Sequence, residues 1–475
     1  MHRIKAAYLW TGEGPPRRNA TITITPEGTI ERITSEAEEG PAQYPFIMPA
    51  FFDAHCHLSW MVLKELSLDL STAGSAEDLL GIVWEGVKNT DDGIIRGDSF
   101  DESDWPDSRL PTLKELDAVT GNKPAFLCRV CGHAALANSA MMALMEHDSK
   151  SINFSTGILR EKPVMEFSDR FPPDPGRAYE AVGSVVTKIH SSGVTGVCSI
   201  EKPENAASLL SAEPDLEIRL VHNGVSPEDP VLSRGTAMIK IFLDGSFGAG
   251  NASVNLCTGE HLLHSDQELL GILIRCAETR VTPVIHAIGG GALKQLDRVS
   301  AEAFKIMGGG FSVRIEHAED LCPAWPGNWD PGYHIFSMQP NFVERWQRAG
   351  GMYDKLLTPD RAAQLNPFRA VLESGFQLGF GSDSMPLDPL FGLKGAVEHR
   401  DPSLSISTGE ALRAYTVQAA SISGCENLAQ PLGPGRPADL VFLTGNPFSG
   451  LSGITVEKTV RAGRTVYDAS ESSEL

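Results

Sequence analysis

Short apolar runs alternate with longer stretches of helical periodicity over much of this chain. Seven runs with the character of β-strands lie at residues 194–198, 218–222, 238–243, 284–286, 313–317, 335–339 and 376–380. Between several of them the apolar positions recur every three or four residues, as in residues 266–280 and 358–374. Strand–helix alternation of this kind predicts a parallel sheet with helices outside it.

An eighth apolar run at residues 46–53 completes the number of strands that closes a (β/α)8 barrel. A doubly wound sheet would need a glycine-rich loop after its first strand, but the residues there are Asp53-Ala54-His55-Cys56-His57. We therefore expect the α/β fold class and a TIM-type barrel over residues 47–429.

Two further regions are expected outside the barrel. The distance from the first strand to the second is too long for a loop, and it contains its own helix signals, so residues 58–185 are interpreted as an inserted subdomain above the barrel mouth. Residues 1–46 and 430–475 carry short alternating segments separated by turn residues. We expect these two termini to form one small β-sandwich domain.

Composition narrows the class of partner. The 475 residues include 61 acidic and 40 basic side chains, a net charge of −21, which argues against nucleic acid or an anionic membrane and favours a small-molecule substrate. The chain has no apolar run of membrane-spanning length and no signal-peptide pattern, and its eight cysteines are scattered. A cytoplasmic protein is expected, and a homo-oligomer is compatible with the sequence.

Histidines and one aspartate stand at the ends of the predicted barrel strands, where barrel enzymes carry their active sites. They are His55, His57, His286, His317 and Asp383. Four imidazoles and a carboxylate that converge suit zinc or a similar divalent metal. Lys240 lies inside the fourth strand, where a lysine is costly to bury unless it is paired or chemically altered. It could pair with an acid or react with CO2 to give a metal-bridging carbamate.

The order of motifs resembles the amidohydrolase superfamily of metal-dependent hydrolases, and within it the YtcJ-like branch that includes N-substituted formamide deformylases. The similar segments are PAFFDAHCHL at 49–58, LPTLKELD at 110–117, GHA at 132–134, GILRE at 157–161, FLDGS at 242–246, HAIG at 286–289, RIEHA at 314–318, GSD at 381–383 and GRPADLV at 435–441. The resemblance spans almost the whole chain. One departure is residues 247–251, FGAGN, where the branch usually has an arginine and a threonine, so the substrate could differ.

The resemblance implies two divalent ions, with zinc the expected metal. His55 and His57 would hold the more buried ion, His286 and His317 the second, and carboxylated Lys240 would bridge them. Asp383 would be a ligand and also the group that takes a proton from the attacking water and returns it to the leaving amine. Substrate contacts are expected from His133 in the insertion, from His222 and from Asp244.

Three alternatives remain open. A mononuclear deaminase of the same superfamily would typically carry a glutamate three residues after the fifth-strand histidine, where this chain has Gly289. A non-catalytic barrel relative would be expected to lack some ligands. A sugar-active barrel would need two acids rather than histidines at the strand ends.

Overall fold

The computed structural model describes residues 2–35, 41–89, 93–132, 134–145, 151–160, 162–212, 214–232, 237–254, 260–322, 325 and 327–471. The chain divides into two compact units. The barrel unit comprises Met1–Leu58, Val186–Phe247 and Asn251–Leu475, and the inserted unit comprises Ser59–Val185 with Gly248–Gly250.

The strands of the described residues form three sheets. In chain order they are β1 (His2–Leu9), β2 (Arg17–Ile24), β3 (Ile30–Thr34), β4 (Tyr44–Pro49), β5 (Phe51–Cys56), β6 (Leu68–Asp69), β7 (Ile95–Phe100), β8 (Ala125–Arg129), β9 (Ala134–Ala137), β10 (Ile152–Asn153), β11 (Ile158–Arg160), β12 (Val194–Glu201), β13 (Glu217–His222), β14 (Met238–Phe242), β15 (Thr282–Ala287), β16 (Val313–His317), β17 (His334–Met338), β18 (Gln377–Phe380), β19 (Leu440–Leu443), β20 (Val456–Arg461) and β21 (Arg464–Asp468).

The largest sheet is the predicted parallel barrel, and it is nearly closed. Its order is β18-β17-β16-β15-β14-β13-β12-β5, and each pair of neighbours is parallel. Strands β12 and β16 are buried along their whole length, so neither has the alternation of buried and exposed residues of a strand with one solvated face. The eight predicted strands are therefore present, and they follow one another around the sheet.

The first predicted strand is wrong in its boundaries. Residues 46–53 are divided at Ala50 between two sheets, because β4 pairs with β1 and β19 while β5 pairs with β12. A continuous apolar run does not reveal this division, since both halves are buried.

Helices accompany most barrel strands. In chain order the helices are α1 (Leu58–Glu65), α2 (Ala76–Asn89), α3 (Leu113–Thr120), α4 (Ser139–Leu144), α5 (Lys162–Met165), α6 (Phe167–Arg170), α7 (Pro175–Ser191), α8 (Pro203–Ser211), α9 (Asp266–Thr279), α10 (Gly290–Met307), α11 (Pro340–Phe342), α12 (Met352–Leu356), α13 (Pro359–Ala363), α14 (Phe368–Glu373), α15 (Pro389–Val397), α16 (Thr408–Ala414) and α17 (Val417–Ile422). No described helix is both long and apolar enough to cross a membrane.

One predicted helix is confirmed and another is interrupted. Ser265 and Glu268 form a capping box that begins α9 where the periodicity places it. The stretch 358–374 instead contains α13 and α14, separated at Asn366, whose φ is +56°, and Pro367. A left-handed residue followed by a proline, which lacks a backbone N–H, ends a helix.

The strands of both termini pair in one sheet of order β21-β20-β19-β4-β1-β2-β3. Its core contains apolar side chains from both ends of the chain, among them Ile22, Ile47 and Phe442. The pairing defines a single sheet, so a two-layered sandwich stays a prediction. The inserted unit has its own sheet, β10-β11-β9-β8-β7-β6, and a separate apolar core that includes Leu79, Leu116 and Leu127.

His334, at the start of β17, is a fully buried histidine with an ordinary structural role. The amide of Asp330 donates to its Nδ1 (3.0 Å), so the ring proton lies on Nε2, which donates to the Ser300 hydroxyl (2.9 Å). Burial lowers the pKa of His334 to about 4.

This histidine is expected to make the protein sensitive to acid. Between pH 8 and pH 5 the unfolded chain takes up a proton that the folded protein does not, so the free energy of unfolding should fall by about 2 kcal/mol through this residue. His334→Gln should remove that part of the decrease, as measured by urea denaturation at both pH values. A decrease of the same size in wild type and variant would contradict the assignment.

Candidate metal centre

The candidate ligands lie at the ends of four barrel strands. His55 is the penultimate residue of β5 and His57 follows that strand, while His286 and His317 lie at the ends of β15 and β16. Asp383 follows β18 by three residues. Because the carboxyl ends of parallel strands meet on one face of a barrel, these residues face a common centre. Atoms of His55, His317 and Asp383 all lie within 4.8 Å of one another, a grouping that can hold a metal ion.

Asp383 is the point on which the first two histidines converge. Its Oδ1 lies 3.4 Å from Nε2 of His55 and 3.0 Å from Nε2 of His57. The other ring nitrogens are bonded elsewhere: Nδ1 of His55 lies 2.5 Å from Glu316 Oε2, and Nδ1 of His57 lies 3.1 Å from the Ile200 carbonyl oxygen. Both outer partners accept hydrogen bonds, so both rings turn Nε2 toward Asp383.

These contacts fit a divalent cation. A carbonyl oxygen only accepts, so Nδ1 of His57 carries a proton and Nε2 is the ring nitrogen that faces the Asp383 carboxylate. On the other side of His55, the buried Nδ1 of His317 has no hydrogen-bond partner among the described residues. Imidazole nitrogens and a carboxylate are the donor set that zinc and similar ions bind.

Electrostatics within the cluster point the same way. Burial raises the pKa of Asp383, but the neighbouring His55 and His57 outweigh this and hold it well below its usual range. Burial, together with the nearby His286, His55 and Lys240, holds the pKa of His317 well below its usual range. Near neutral pH the cluster therefore offers an ionised carboxylate and a neutral imidazole, the forms that bind a metal.

The backbone is strained where two of these ligands sit. His317 has a φ of +69° and Asp383 a φ of +54°, in the left-handed region that residues other than glycine seldom adopt. The following residues, Ala318 and Ser384, have φ values of +51° and +59°. Strain of this kind persists where the surrounding structure over-determines it, and it is concentrated at functional sites.

Lys240 and His286 lie beside this cluster. Lys240 is buried in β14, its Nζ is 5.3 Å from the centre of the Phe242 ring, and no described carboxylate lies within salt-bridge distance. Burial lowers the pKa of Lys240 to about 8, although Glu316 and Asp383 oppose this. The ring of His286 is 4.4 Å from that of His317, and its Nε2 lies 3.0 Å from the Gly245 carbonyl oxygen.

The carboxylate of Asp244 is hydrogen-bonded to three backbone amides. Its carboxylate accepts hydrogen bonds from the amides of Ser253 (2.9 Å), Ile288 (3.0 Å) and Gly289 (2.8 Å). Burial raises the pKa of Asp244 to about 7, although the three amide donors favour the ionised form and by themselves would lower the pKa. Asp244 thus joins the segment after β14 to the segment after His286, and a direct substrate contact stays a prediction.

For the other two predicted substrate-binding residues, His222 and His133, the described part of the structure gives no interaction with the cluster. His222 ends β13 half-buried, its Nδ1 has no hydrogen-bond partner among the described residues, and burial lowers its pKa. His133 lies outside the described residues.

Sequence reasoning did not find two carboxylates that brace the ligands. Oε2 of Glu316 lies 2.5 Å from Nδ1 of His55. The Asp53 carboxylate accepts hydrogen bonds from the backbone amides of His55 and Ser382, each at 3.0 Å. Both are fully buried in barrel strands. A charged residue at such a position is itself a signal, because it must find a partner there.

Three comparisons bear on this site. The model of the amidohydrolase family matches residues 46–467. The chain is 27% identical to YtcJ of Bacillus subtilis (strain 168), with 93% of this chain and 94% of YtcJ aligned, and 25% identical to the N-substituted formamide deformylase of Arthrobacter pascens, with 84% of each chain aligned. An uncharacterized metal-dependent hydrolase from Pyrococcus furiosus has a similar structure, with a TM-score of 0.73, 25% identity, and coverage of 94% of this chain and 100% of that chain.

Proposed function

The chain belongs to the amidohydrolase family, and from this premise we propose that it hydrolyses a C–N bond in a small amide with the help of a bound divalent metal. The observation that carries the proposal is the convergence of His55, His57 and Asp383. Beside them lies Nδ1 of His317, which has no hydrogen-bond partner in the part of the chain that the structure describes. Such a cluster can hold a metal ion, and it lies where barrel enzymes perform their chemistry.

The residues that would hold the metal are His55, His57, His317 and Asp383, with His286 and Lys240 completing the site for a second ion. When bound, zinc or a similar ion supplies a more acidic water and polarises the substrate carbonyl. The low pKa of Lys240 supports its place in this scheme, because only a neutral amine reacts with CO2, giving a carbamate and releasing one proton.

Asp383 is the residue we assign to proton transfer. Its carboxylate is ionised near neutral pH and lies at the centre of the cluster. It would accept a proton from the attacking water and deliver it to the leaving nitrogen, so that acid and amine leave as products. The similarity to an N-substituted formamide deformylase makes N-substituted formamides the first compounds to test.

Removal of metal is the test of this proposal. Purified protein should hydrolyse at least one compound in a panel of N-formyl, N-acyl and cyclic amides. Treatment with a chelator followed by desalting should abolish that activity, and added zinc should restore it. A control sample taken through the same steps without chelator should keep its activity. Hydrolysis that survives complete removal of metal would contradict the proposal.

A further inference from the structure

Glu316 occupies a place that no substrate could reach. It precedes His317 on β16 and is fully buried inside the barrel unit. Residues two apart on a strand share a face, so Glu316 and Arg314 lie side by side. The two residues form a buried ion pair next to the candidate metal ligands.

The two oxygens of Glu316 have different partners. Oε1 accepts a hydrogen bond from Nε of Arg314 at 2.6 Å, and Oε2 lies 2.5 Å from Nδ1 of His55. The carboxylate is therefore fixed on one side by a cation and bonded on the other to a candidate metal ligand.

Arg314 is held in place in turn. Its guanidinium donates to the Ala54 carbonyl, immediately before His55, and lies within 3.4 Å of the Ser423 hydroxyl and 3.3 Å of the Ser337 hydroxyl. The guanidinium thus links the β16 carboxylate to the backbone of β5. Neither Glu316 nor the His55 ring that it contacts can turn without breaking these bonds.

We propose that Glu316 is a positioning residue of the metal centre, which holds the His55 ring through Nδ1 so that Nε2 is the nitrogen that binds metal. A carboxylate behind a histidine ligand fixes the orientation of the ring and makes it a stronger ligand. At His57 the group 3.1 Å from Nδ1 is the carbonyl oxygen of Ile200 rather than a carboxylate. The inference rests on the proposed metal dependence and adds a residue that determines metal affinity.

Metal affinity is the direct test. We would measure the zinc affinity of metal-depleted protein by competition with a chromophoric chelator, for wild type, Glu316→Gln and Glu316→Asp. Gln removes the charge, while Asp keeps a charge opposite Arg314 but is one methylene too short to reach His55. Both variants are expected to bind zinc about 10–100-fold more weakly. If Glu316 only balanced the charge of Arg314, Glu316→Asp would keep wild-type affinity, and that result would overturn the inference.

Glu319→Gln is the matched control. Glu319 is also a buried glutamate of this segment, but it bonds the Tyr353 hydroxyl (2.6 Å) rather than a candidate ligand. The zinc affinity of Glu319→Gln should stay within about threefold of wild type. This change is smaller than the loss of at least about 10-fold expected when a metal ligand loses its hydrogen-bond partner.

A second readout does not depend on the folding of any variant. In zinc-loaded wild type labelled with 15N-histidine, long-range 1H–15N spectra should show His55 protonated on Nδ1, with its proton shifted far downfield. A proton on Nε2 would overturn the inference. Failure of wild type to bind zinc would contradict the proposed function itself, whereas wild-type affinity in Glu316→Asp would contradict this inference alone.

Discussion

Asp383→Asn should lower kcat/KM for amide hydrolysis by about 10³-fold or more. The substitution removes the negative charge on which His55 and His57 converge and the group assigned to proton transfer, a role worth about 10²–10⁴-fold by itself. The fold should survive, because asparagine has the same shape and tolerates the φ of +54° at this position. Steady-state kinetics and thermal unfolding of the two proteins check both statements.

Asp388→Asn is the matched control for this variant. Asp388 begins α15 by accepting from the amides of Leu390 and Phe391, and asparagine serves equally well at such a position. Its kcat/KM should therefore stay close to wild type. If Asp383→Asn also kept activity within about tenfold of wild type, less than general acid–base catalysis contributes, the assignment of Asp383 would be wrong.

Gly381→Ala should disrupt the metal centre without replacing any candidate ligand. A Cβ at residue 381 would lie 2.3 Å from the His55 backbone nitrogen and 2.6 Å from its Cβ, so the ends of β5 and β18 must separate. These ends are joined by the hydrogen bond from the Asp383 amide to the His55 carbonyl (2.7 Å). Overpacking costs about 1–3 kcal/mol of stability, and a displacement of about 1 Å at the site can reduce activity about 10²-fold.

Gly433→Ala provides the comparison for Gly381→Ala. A Cβ at residue 433 meets nothing within 4 Å, so stability and metal content should both stay at wild-type values. Urea denaturation and elemental analysis of the two variants measure these quantities. Wild-type metal content and stability in Gly381→Ala would show that the two strand ends are not held as closely as the structure indicates.

The barrel could be predicted from sequence because several of its strands, such as β12, are buried on both faces and form short, largely apolar runs. Placing His55, His317 and Asp383 together then followed from the parallel arrangement alone. The division of residues 46–53 could not be predicted, because it depends on pairing with β19, whose residues lie nearly 400 positions away. Sheet membership is decided by such distant partners, and a local pattern does not contain them.

The contact between Glu316 and the His55 ring could not be predicted from the sequence for a similar reason. Glu316 and His55 are 261 residues apart, and their contact exists only once the barrel has closed. In the Arg314-Ile315-Glu316-His317 segment the histidine is a candidate ligand by its position, and the two charged residues of the same strand require partners once they are buried. His334 lies at the start of a barrel strand rather than at its carboxyl end. It is an ordinary core histidine whose two ring nitrogens are hydrogen-bonded.

Metal content per chain tests the central claim most directly. Wild type and Lys240→Ala would be purified without chelator and with bicarbonate present, and both would be analysed for zinc and other divalent metals. We predict about two ions per wild-type chain and fewer in the variant, as expected for a two-metal site bridged by a modified lysine. One ion in both proteins would contradict the role of Lys240, and no metal in either would contradict the metal-dependent hydrolase.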